Sequence, residues 1–372
     1  MPKEIKGIKE IEGLCVDCKL CVKECRFLQN ICESPTELIN KLEERHFREE
    51  PRVPYSCNLC DLCESICPSE INLGDIFLQL RQEMSEEGLG PLAVHKKFTE
   101  VELEWVLSDS FTLSLPDPSA KECHRVFFPG CNLAAYSPAI VLQTYAYLQE
   151  KLPGTGIILG CCGSRALDLG KEIQFKQISA DIEAVMQTLG ASEMIVACPH
   201  CYDTFGKCEP TFEVKSLYEI MAEAGLPEVV KSHDWTFSLH DSCPVRWEEE
   251  IQDSVRTLIT RMGYQLEEMK YSRELTRCCG LGGEIALVDL KLARSITESR
   301  IEEAPFDMLT YCASCRESFA TYGKPSLHIL DLIFNRNWVE DRLKPANKAS
   351  SIRRENQALL KAQLEQKYGI QS

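Results

Sequence analysis

Gly156-Ile157-Ile158-Leu159-Gly160-Cys161-Cys162-Gly163 is a short apolar run that ends on two adjacent thiols and a glycine, and the same ending returns as Cys278-Cys279-Gly280. A single cysteine precedes each pair, Cys131 and Cys243, and a Cys-x-x-Cys follows each, Cys198-Pro199-His200-Cys201 and Cys312-Ala313-Ser314-Cys315. Cys131 to Cys243 is an offset of 112, Cys161 to Cys278 of 117 and Cys198 to Cys312 of 114, so one unit recurs with small loop changes. In the first copy Arg125-Val126-Phe127-Phe128 reads as a strand ending near Cys131. Ser137-Pro138 then caps a helix to about Lys151, Gly156 to Leu159 is a second strand, a helix runs from Glu172 to Leu189, and Met194-Ile195-Val196-Ala197 delivers Cys198. In the second copy Thr236-Phe237-Ser238-Leu239, a helix around Glu248 to Met262, the strand Tyr264 to Met269, a helix around Gly283 to Glu303 and the strand Met308 to Tyr311 take the same parts. Short apolar strands alternating with helices make an α/β unit with a small parallel sheet, which binds ligands past the carboxyl ends of its strands. All ten thiols fall there. Neighbouring side chains on a strand point to opposite faces, so an adjacent pair shares one site only where the backbone turns; Gly163 and Gly280 permit that turn. Five thiols per copy exceed the four of an ordinary zinc or cubane site.

Nearer the N-terminus, Cys15, Cys18, Cys21 and Cys25 follow the spacing C-x2-C-x2-C-x3-C, and Cys57, Cys60, Cys63 and Cys67 repeat it with Pro68 behind. This is the signature of a two-cluster ferredoxin module, in which the fourth cysteine of each run ligates the other cluster. One cubane [4Fe-4S] cluster is then expected on Cys15, Cys18, Cys21 and Cys67, and a second on Cys57, Cys60, Cys63 and Cys25. Arg26 stands where the second run has Pro68, which removes no ligand. Ser34-Pro35-Thr36-Glu37 predicts a capped helix to about Phe47, and Asn72 to about Glu87 a second, so the module is mostly helical. The expected organisation is a helical two-[4Fe-4S] ferredoxin-like domain over 1–107, a Pro-containing linker over 108–122, duplicated α/β cysteine-rich domains over 123–232 and 233–340, and a charged tail or helix over 341–372.

The formal charge of −16 makes nucleic acid an unsuitable partner. The charged start Met1-Pro2-Lys3-Glu4-Ile5-Lys6 lacks an apolar leader, and no stretch reaches the roughly 18 apolar residues of a membrane span. The chain is expected in the cytoplasm, with any membrane contact made through a partner. An odd total of 21 cysteines, many in Cys-x-x-Cys pairs, favours metal ligation over disulfides, and linked four-thiol runs favour iron–sulfur clusters over isolated zinc. Cys32, Cys123 and Cys208 read as packed thiols. His200 and His240 sit where an imidazole could donate a proton, with hydrogen bonding around the site as the plainer role. Lys207, Arg246 and Arg316 read as solvated surface, with anion attraction as the sharper alternative. Gly154-x-Gly156 precedes its strand rather than following it and is not a dinucleotide loop. Leu359, Leu360 and Leu364 lie at near-helical spacing in the charged tail, which suits either a partner-docking helix or a solvated one.

The settings Phe127-Phe128-Pro129-Gly130-Cys131, Leu159-Gly160-Cys161-Cys162-Gly163, His240-Asp241-Ser242-Cys243-Pro244 and Cys278-Cys279-Gly280-Leu281-Gly282-Gly283 resemble the CCG domains of heterodisulfide reductases. Over roughly residues 10 to 335 the chain is similar to the D-type polypeptide of that family, equivalent to the C-type fused ahead of the B-type. The resemblance implies a noncubane [4Fe-4S] cluster on each quintet, Cys131, Cys161, Cys162, Cys198 and Cys201 in one and Cys243, Cys278, Cys279, Cys312 and Cys315 in the other. The quintets would face each other across the pseudo-twofold and act catalytically through their clusters. The implied activity is an oxidoreductase in which two cubane clusters relay electrons to the noncubane pair, which reduces a disulfide or related acceptor. The alternative is an electron-transfer subunit without a substrate, of the kind found in 2-hydroxyacid or glycerol-3-phosphate oxidizing complexes. Either role requires an electron-exchanging partner such as a flavoprotein, a cytochrome b or a dehydrogenase.

Overall fold

Two parallel sheets carry the duplicated half of the chain. The computed structural model describes residues 11, 13–43, 48–227, 234–347 and 349–368. The first sheet contains β1 (Leu113–Leu115), β2 (Arg125–Phe128), β3 (Thr155–Leu159), β4 (Glu193–Val196) and β5 (Glu213–Ser216), in the order β1-β3-β2-β4-β5. The second contains β6 (Thr236–His240), β7 (Gln265–Glu268), β8 (Asp307–Thr310) and β9 (Ser326–His328), in the order β7-β6-β8-β9. Strands β2 to β5 therefore correspond to β6 to β9, and every pair within those sets is parallel. In each copy the chain leaves its central strand, β2 or β6, to one side and then crosses to the other. This switch opens a crevice beyond the carboxyl ends, where the cysteines follow.

The expected strands and helices recur with small shifts at their ends. Ser137 caps the helix Pro138–Lys151 by accepting from Ile140 N–H, with Pro138 at the first helical position. Asn72 caps Leu73–Glu86 by accepting from Asp75 N–H. Ser34 accepts from Glu37 N–H at 3.2 Å, while the Glu37 carboxylate reaches back to Glu33 N–H at 2.7 Å rather than to Ser34. The helix so capped is Pro35–Glu43; its expected end at Phe47, like the boundary at 232/233 and the start Met1 to Lys6, lies outside the described residues. The helix expected from Gly283 to Glu303 is broken. Asp289 accepts from Leu292 N–H and starts a separate helix, Leu290–Glu302, behind the short Ile285–Val288.

Two expectations about connecting segments are corrected. The stretch 108–122 is not a free linker: β1 pairs antiparallel with β3, and Phe111, Leu115 and Asp117 are buried. Its Ser-Leu-Pro composition hid a three-residue edge strand, and Asp117 anchors the turn by accepting from Gly154 N–H at 2.9 Å. The tail is not a frayed helix over its helical part but packs along one face, with Leu359 left exposed on the other. Ser350–Tyr368 lies on the first copy with Leu360 and Leu364 fully buried, and Gln357 donates to the Cys131 carbonyl at 2.9 Å while accepting from Trp105 Nε1–H at 2.8 Å.

The front module docks on the second copy and also touches the first, where Tyr55 and Arg81 donate to the carbonyls of Leu169 and Asp168. Arg246 donates to the Cys60 carbonyl through Nε at 3.0 Å and Nη2 at 2.5 Å, Asn58 donates to Gly282 O, and Arg52 to Val288 O. Arg277 pairs with Glu24 and lies 3.7 Å over the Tyr271 ring, whose hydroxyl also reaches Glu24. No helix among the described residues is long and apolar enough to cross a membrane.

Candidate metal centre

The two front runs bring their thiols together in crossed fashion. Cys15, Cys18, Cys21 and Cys67 line one small cavity, together with Cys63. Cys25, Cys57, Cys60 and Cys63 line a second of about 210 Å³ that also admits Cys278. Each loop turns through a left-handed residue, Asp17 and Lys19 in the first run and Leu59 and Asp61 in the second, which curls successive thiols inwards. Burial pushes Cys21 and Cys25 up to about 12, and Cys57 and Cys63 well up. Such thiols ionise only when a cation replaces the lost water, which is the chemistry an iron–sulfur cluster supplies.

In the duplicated half the ten quintet thiols lie as neighbours in one row. Cys131 meets Cys161, Cys161 meets Cys162, Cys162 meets Cys201 and Cys201 meets Cys198. The second copy repeats this as Cys243, Cys278, Cys279, Cys315 and Cys312. Cys198 meets Cys312, so the row is continuous and nearly palindromic about the junction of the two Cys-x-x-Cys motifs. It continues outwards at Cys278, which meets Cys60 of the front module. The equivalent Cys161 instead faces a groove lined by Leu113, Ile158 and Ile182. All 21 cysteines are free. Bonds accepted from Cys161 hold Cys131 down at about 7, and similar bonds hold Cys162, Cys279 and Cys312 well below the usual thiol range. Their donors Cys161 and Cys315 are pushed up in return. Ten buried thiols in one row cannot all become thiolates without cations among them, so the donor set fits a pair of metal–sulfur assemblies.

The turns after the Cys-Cys pairs are built alike. Gly163 N–H donates to Cys161 Sγ at 3.5 Å, and Gly280 N–H to Cys278 Sγ at 3.3 Å. Both glycines have positive φ, +87° and +92°. A Cβ on Gly280 would stand 2.3 Å from Thr297 Oγ1 and 2.8 Å from the Ala293 carbonyl, whereas one on Gly163 would meet only side-chain carbons of Phe175 and Ile178, at 3.1 Å and 3.3 Å. Gly280→Ala is expected to destabilise by about 2–4 kcal/mol and Gly163→Ala by about 1–2 kcal/mol. Anaerobic thermal unfolding of both variants checks this, and equal losses would contradict it.

The lesser candidates separate in the structure. A ring nitrogen of His240 lies with Cys279 and Cys315 Sγ, all within 4.8 Å of one another. Its Nδ1 accepts from Arg300 Nε at 3.1 Å, which leaves Nε2 as the protonated nitrogen. Burial and Arg300 lower this imidazole to about 3, so it stands beside the thiols as a fixed neutral donor. His200 lines the same cleft. Arg246 and Arg316 are not solvated: each is 1–2% exposed and donates to carbonyls, Arg246 to Cys60 and Thr276, Arg316 to Ser326 and Lys344. Lys207 pairs at the surface with Asp203. Cys32, Cys123 and Cys208 donate to the carbonyls of Leu28, Arg125 and Thr204.

Several supporting residues carry no local sequence signal. Asp241, fully buried, holds Arg256 through both carboxylate oxygens and accepts from Arg273 N–H at 2.7 Å, while its carbonyl accepts from Thr276, fixing the loop that enters Cys278. Tyr218 shares its hydroxyl between the carbonyls of Ala197 and Tyr311, both at 2.8 Å, and these residues precede Cys198 and Cys312. One side chain thus sets the spacing of the two Cys-x-x-Cys motifs.

Eight of the ten quintet thiols, all but Cys161 and Cys278, line one cavity of about 350 Å³ that reaches the surface past Phe98, Leu281 and Ser350, all exposed. Among known families, residues 14–72 match a 4Fe-4S dicluster domain, and residues 125–206 and 237–320 each match a cysteine-rich domain. The D-type polypeptide of the dihydromethanophenazine:CoB–CoM heterodisulfide reductase of Methanosarcina acetivorans is 26% identical over 297 residues, covering 73% of this chain and 71% of its own length. The B-type polypeptide of the fumarate reductase (CoM/CoB) of Methanothermobacter marburgensis is 23% identical, covering 89% and 73% respectively. A hypothetical protein from Helicobacter pylori superposes with a TM-score of 0.54 at 12% identity, over 95% of this chain and 75% of that one, which shows the shared fold.

Proposed function

We propose, from the premise that this chain is a homologue of the D-type polypeptide of heterodisulfide reductases with a 4Fe-4S dicluster domain and two cysteine-rich domains, that it is the disulfide-reducing iron–sulfur component of a multi-subunit reductase. The ligands are Cys15, Cys18, Cys21 and Cys67 for one cubane, Cys57, Cys60, Cys63 and Cys25 for the other, and one quintet for each of two noncubane clusters. When bound, these clusters supply the one-electron relay and the iron that a two-electron reduction requires. The balanced reaction breaks one S–S bond, takes two electrons from a redox protein partner and two protons from solvent, and leaves two thiols.

The observation that carries this reading is the continuous row of neighbouring thiols, eight of which line a cleft open to solvent. Cys278 against Cys60 makes the second quintet the entry side, and Cys198 against Cys312 couples it to the first. Arg246 fixes the Cys60 loop, Tyr218 the junction of the quintets, and Asp241 with Arg256 the approach to Cys278. The His240 ring stands against Cys279 and Cys315, where its neutral N–H offers a fixed hydrogen bond to sulfur.

The test is anaerobic. Dithionite-reduced holoprotein is mixed with small disulfides and followed by EPR, and a new substrate-dependent paramagnetic signal with release of thiols is expected. Silence with every disulfide, together with rapid electron exchange with a flavoprotein, would make the chain a relay without a substrate of its own.

A further inference from the structure

The two quintets have the same sulfur donors but different surroundings. Phe128 and His240 hold equivalent places, each the last residue of its central strand and three residues before Cys131 or Cys243. Both are fully buried, and each lies edge-on to the phenylalanine four residues after its Cys-x-x-Cys. Phe128 meets Phe205 at 5.2 Å between ring centroids, and His240 meets Phe319 at 4.8 Å. One packing scheme is thus built twice, with a phenyl in the first copy and an imidazole in the second. Two places further on, Gly130 of the first copy is replaced by the fully buried Ser242 in the second. A Cβ on Gly130 would stand 3.1 Å from Cys201 Sγ, which shows how near to the thiols a side chain at this place begins.

The polar atoms gained by the second copy are left over. His240 Nδ1 accepts from Arg300 Nε at 3.1 Å, and Arg300 is in turn held by Glu303 at 2.6 Å. With Nδ1 occupied as an acceptor, the proton of the neutral ring sits on Nε2, which has no hydrogen-bond partner among the described residues. The Ser242 hydroxyl and Arg300 Nη2 are buried without a partner as well. Buried donors left unmatched are costly, and three in one neighbourhood point to an acceptor that belongs there. The sulfur donors are within reach: a ring nitrogen of His240 and the Sγ atoms of Cys279 and Cys315 all lie within 4.8 Å of one another. A histidine that ligates a metal donates its other N–H to an acceptor. Here the other nitrogen accepts from an arginine, so His240 is arranged to donate to sulfur and not to bind iron.

N–H and O–H groups directed at sulfur stabilise a cluster more in its reduced, more negative state, and so raise its potential. The first quintet has Phe128 and Gly130 in those places and receives no such bond from them. We propose that His240, held in its donating tautomer by Arg300, makes the cluster of the second quintet the easier of the two to reduce, so that electrons fill the pair in a fixed order. This rests on the ligand sets proposed above and goes beyond them by making the two sites unequal. The first electron from the redox partner settles at the second quintet, which stands beside Cys60, and is held there. The next passes on to the first quintet, and the two together supply the pair that, with two protons, breaks the S–S bond.

Anaerobic holoprotein is titrated with dithionite and followed by EPR. At about 16 irons per chain, the two noncubane steps are expected at least about tenfold apart in reduction equilibrium constant, which is about 59 mV for one electron. The upper step should persist in a Cys161→Ala, Cys162→Ala double variant, in which only the second quintet is complete. His240→Phe copies the ring packing of the first copy without the N–H. It should lower the upper step by about tenfold and leave the lower step and the front clusters unmoved. His240→Gln should recover part of that shift, and Phe128→Leu should move neither step. Pulsed EPR of the reduced wild type should show a weak nitrogen hyperfine coupling that His240→Phe abolishes.

Coincident steps in wild type overturn the inference, and so does an upper step that His240→Phe leaves in place. A nitrogen coupling as strong as that of an iron-bound imidazole also overturns it, by making His240 a ligand. If His240→Phe loads iron poorly, the wild-type separation, the nitrogen coupling and His240→Gln decide. A wild-type content near eight irons removes the noncubane sites and the ligand proposal with them. Full iron with equal potentials leaves that proposal standing and removes only the order of filling.

Discussion

Anaerobically purified protein is expected to contain about 16 irons per chain, and a Cys161→Ala, Cys162→Ala double variant about 12, with disulfide reduction lost. Cys161 and Cys162 stand between the other thiols of the first quintet, each beside two of them, so their removal leaves Cys131 and the Cys198–Cys201 pair without a connecting ligand. The second quintet meets the first where Cys312 stands beside Cys198 and the front module where Cys278 stands beside Cys60, so the substitutions leave its thiols and both ferredoxin-like runs in place. Cys123→Ala and Cys208→Ala serve as controls. Their thiols donate to the Arg125 carbonyl at 3.4 Å and the Thr204 carbonyl at 3.3 Å, and both variants should keep about 16 irons. Iron and acid-labile sulfide analysis decides the matter. A wild-type value near eight would restrict the clusters to the front module and remove the basis of the proposed chemistry.

Arg81→Met is expected to cost about 3–5 kcal/mol and to loosen the second front cluster site before the rest of the chain unfolds. Arg81 is fully buried on the helix Leu73–Glu86 and donates to four carbonyls: Pro54 at 2.9 Å, Cys57 at 2.6 Å, Asp168 at 2.6 Å and Gly283 at 3.2 Å. Those carbonyls belong to the front module and to both cysteine-rich copies, so one guanidinium joins three parts of the molecule. It also lies 5.1 Å from the Tyr55 ring centroid. Methionine matches much of the volume but donates nothing, and each buried carbonyl left unsatisfied costs about 1–3 kcal/mol. Arg81→Lys should recover only part of the loss, because an ammonium cannot span four acceptors laid out around a planar fork. Anaerobic urea unfolding, followed by visible absorption of the clusters and by far-UV circular dichroism, measures both effects. Loss of absorption should precede loss of helix; a midpoint unchanged from wild type would show that the junction is held elsewhere.

The cysteine runs were legible because metal-binding chemistry is written in spacing. Cys-x2-Cys-x2-Cys-x3-Cys and the repeated Cys-Cys-Gly name their members without reference to distant residues, and so do Ser137-Pro138 and Asn72, whose caps act within one helical turn. The strands β5 and β9 were not legible, since Glu213–Ser216 and Ser326–His328 are too short for an apolar pattern to stand out. The same brevity concealed β1 in a stretch that reads as a linker. Arg246 and Arg316 show a different failure. Arginine is solvated by default, and only backbone carbonyls assembled from remote segments make its burial favourable.

The sequence by itself determined the duplicated α/β fold and the dicluster module, because both depend on residue type and local spacing. Only the tertiary structure decided that Cys278 rather than Cys161 meets the front module, that Tyr218 ties the two Cys-x-x-Cys motifs together, and that the terminal helix brings Arg353 to the cleft. The two copies are nearly alike in sequence pattern, so nothing local distinguishes their outer faces. Their difference comes from what packs against each outer face, the front module at Cys278 of one and the terminal helix on the other, and that packing is fixed by contacts between residues far apart in the chain.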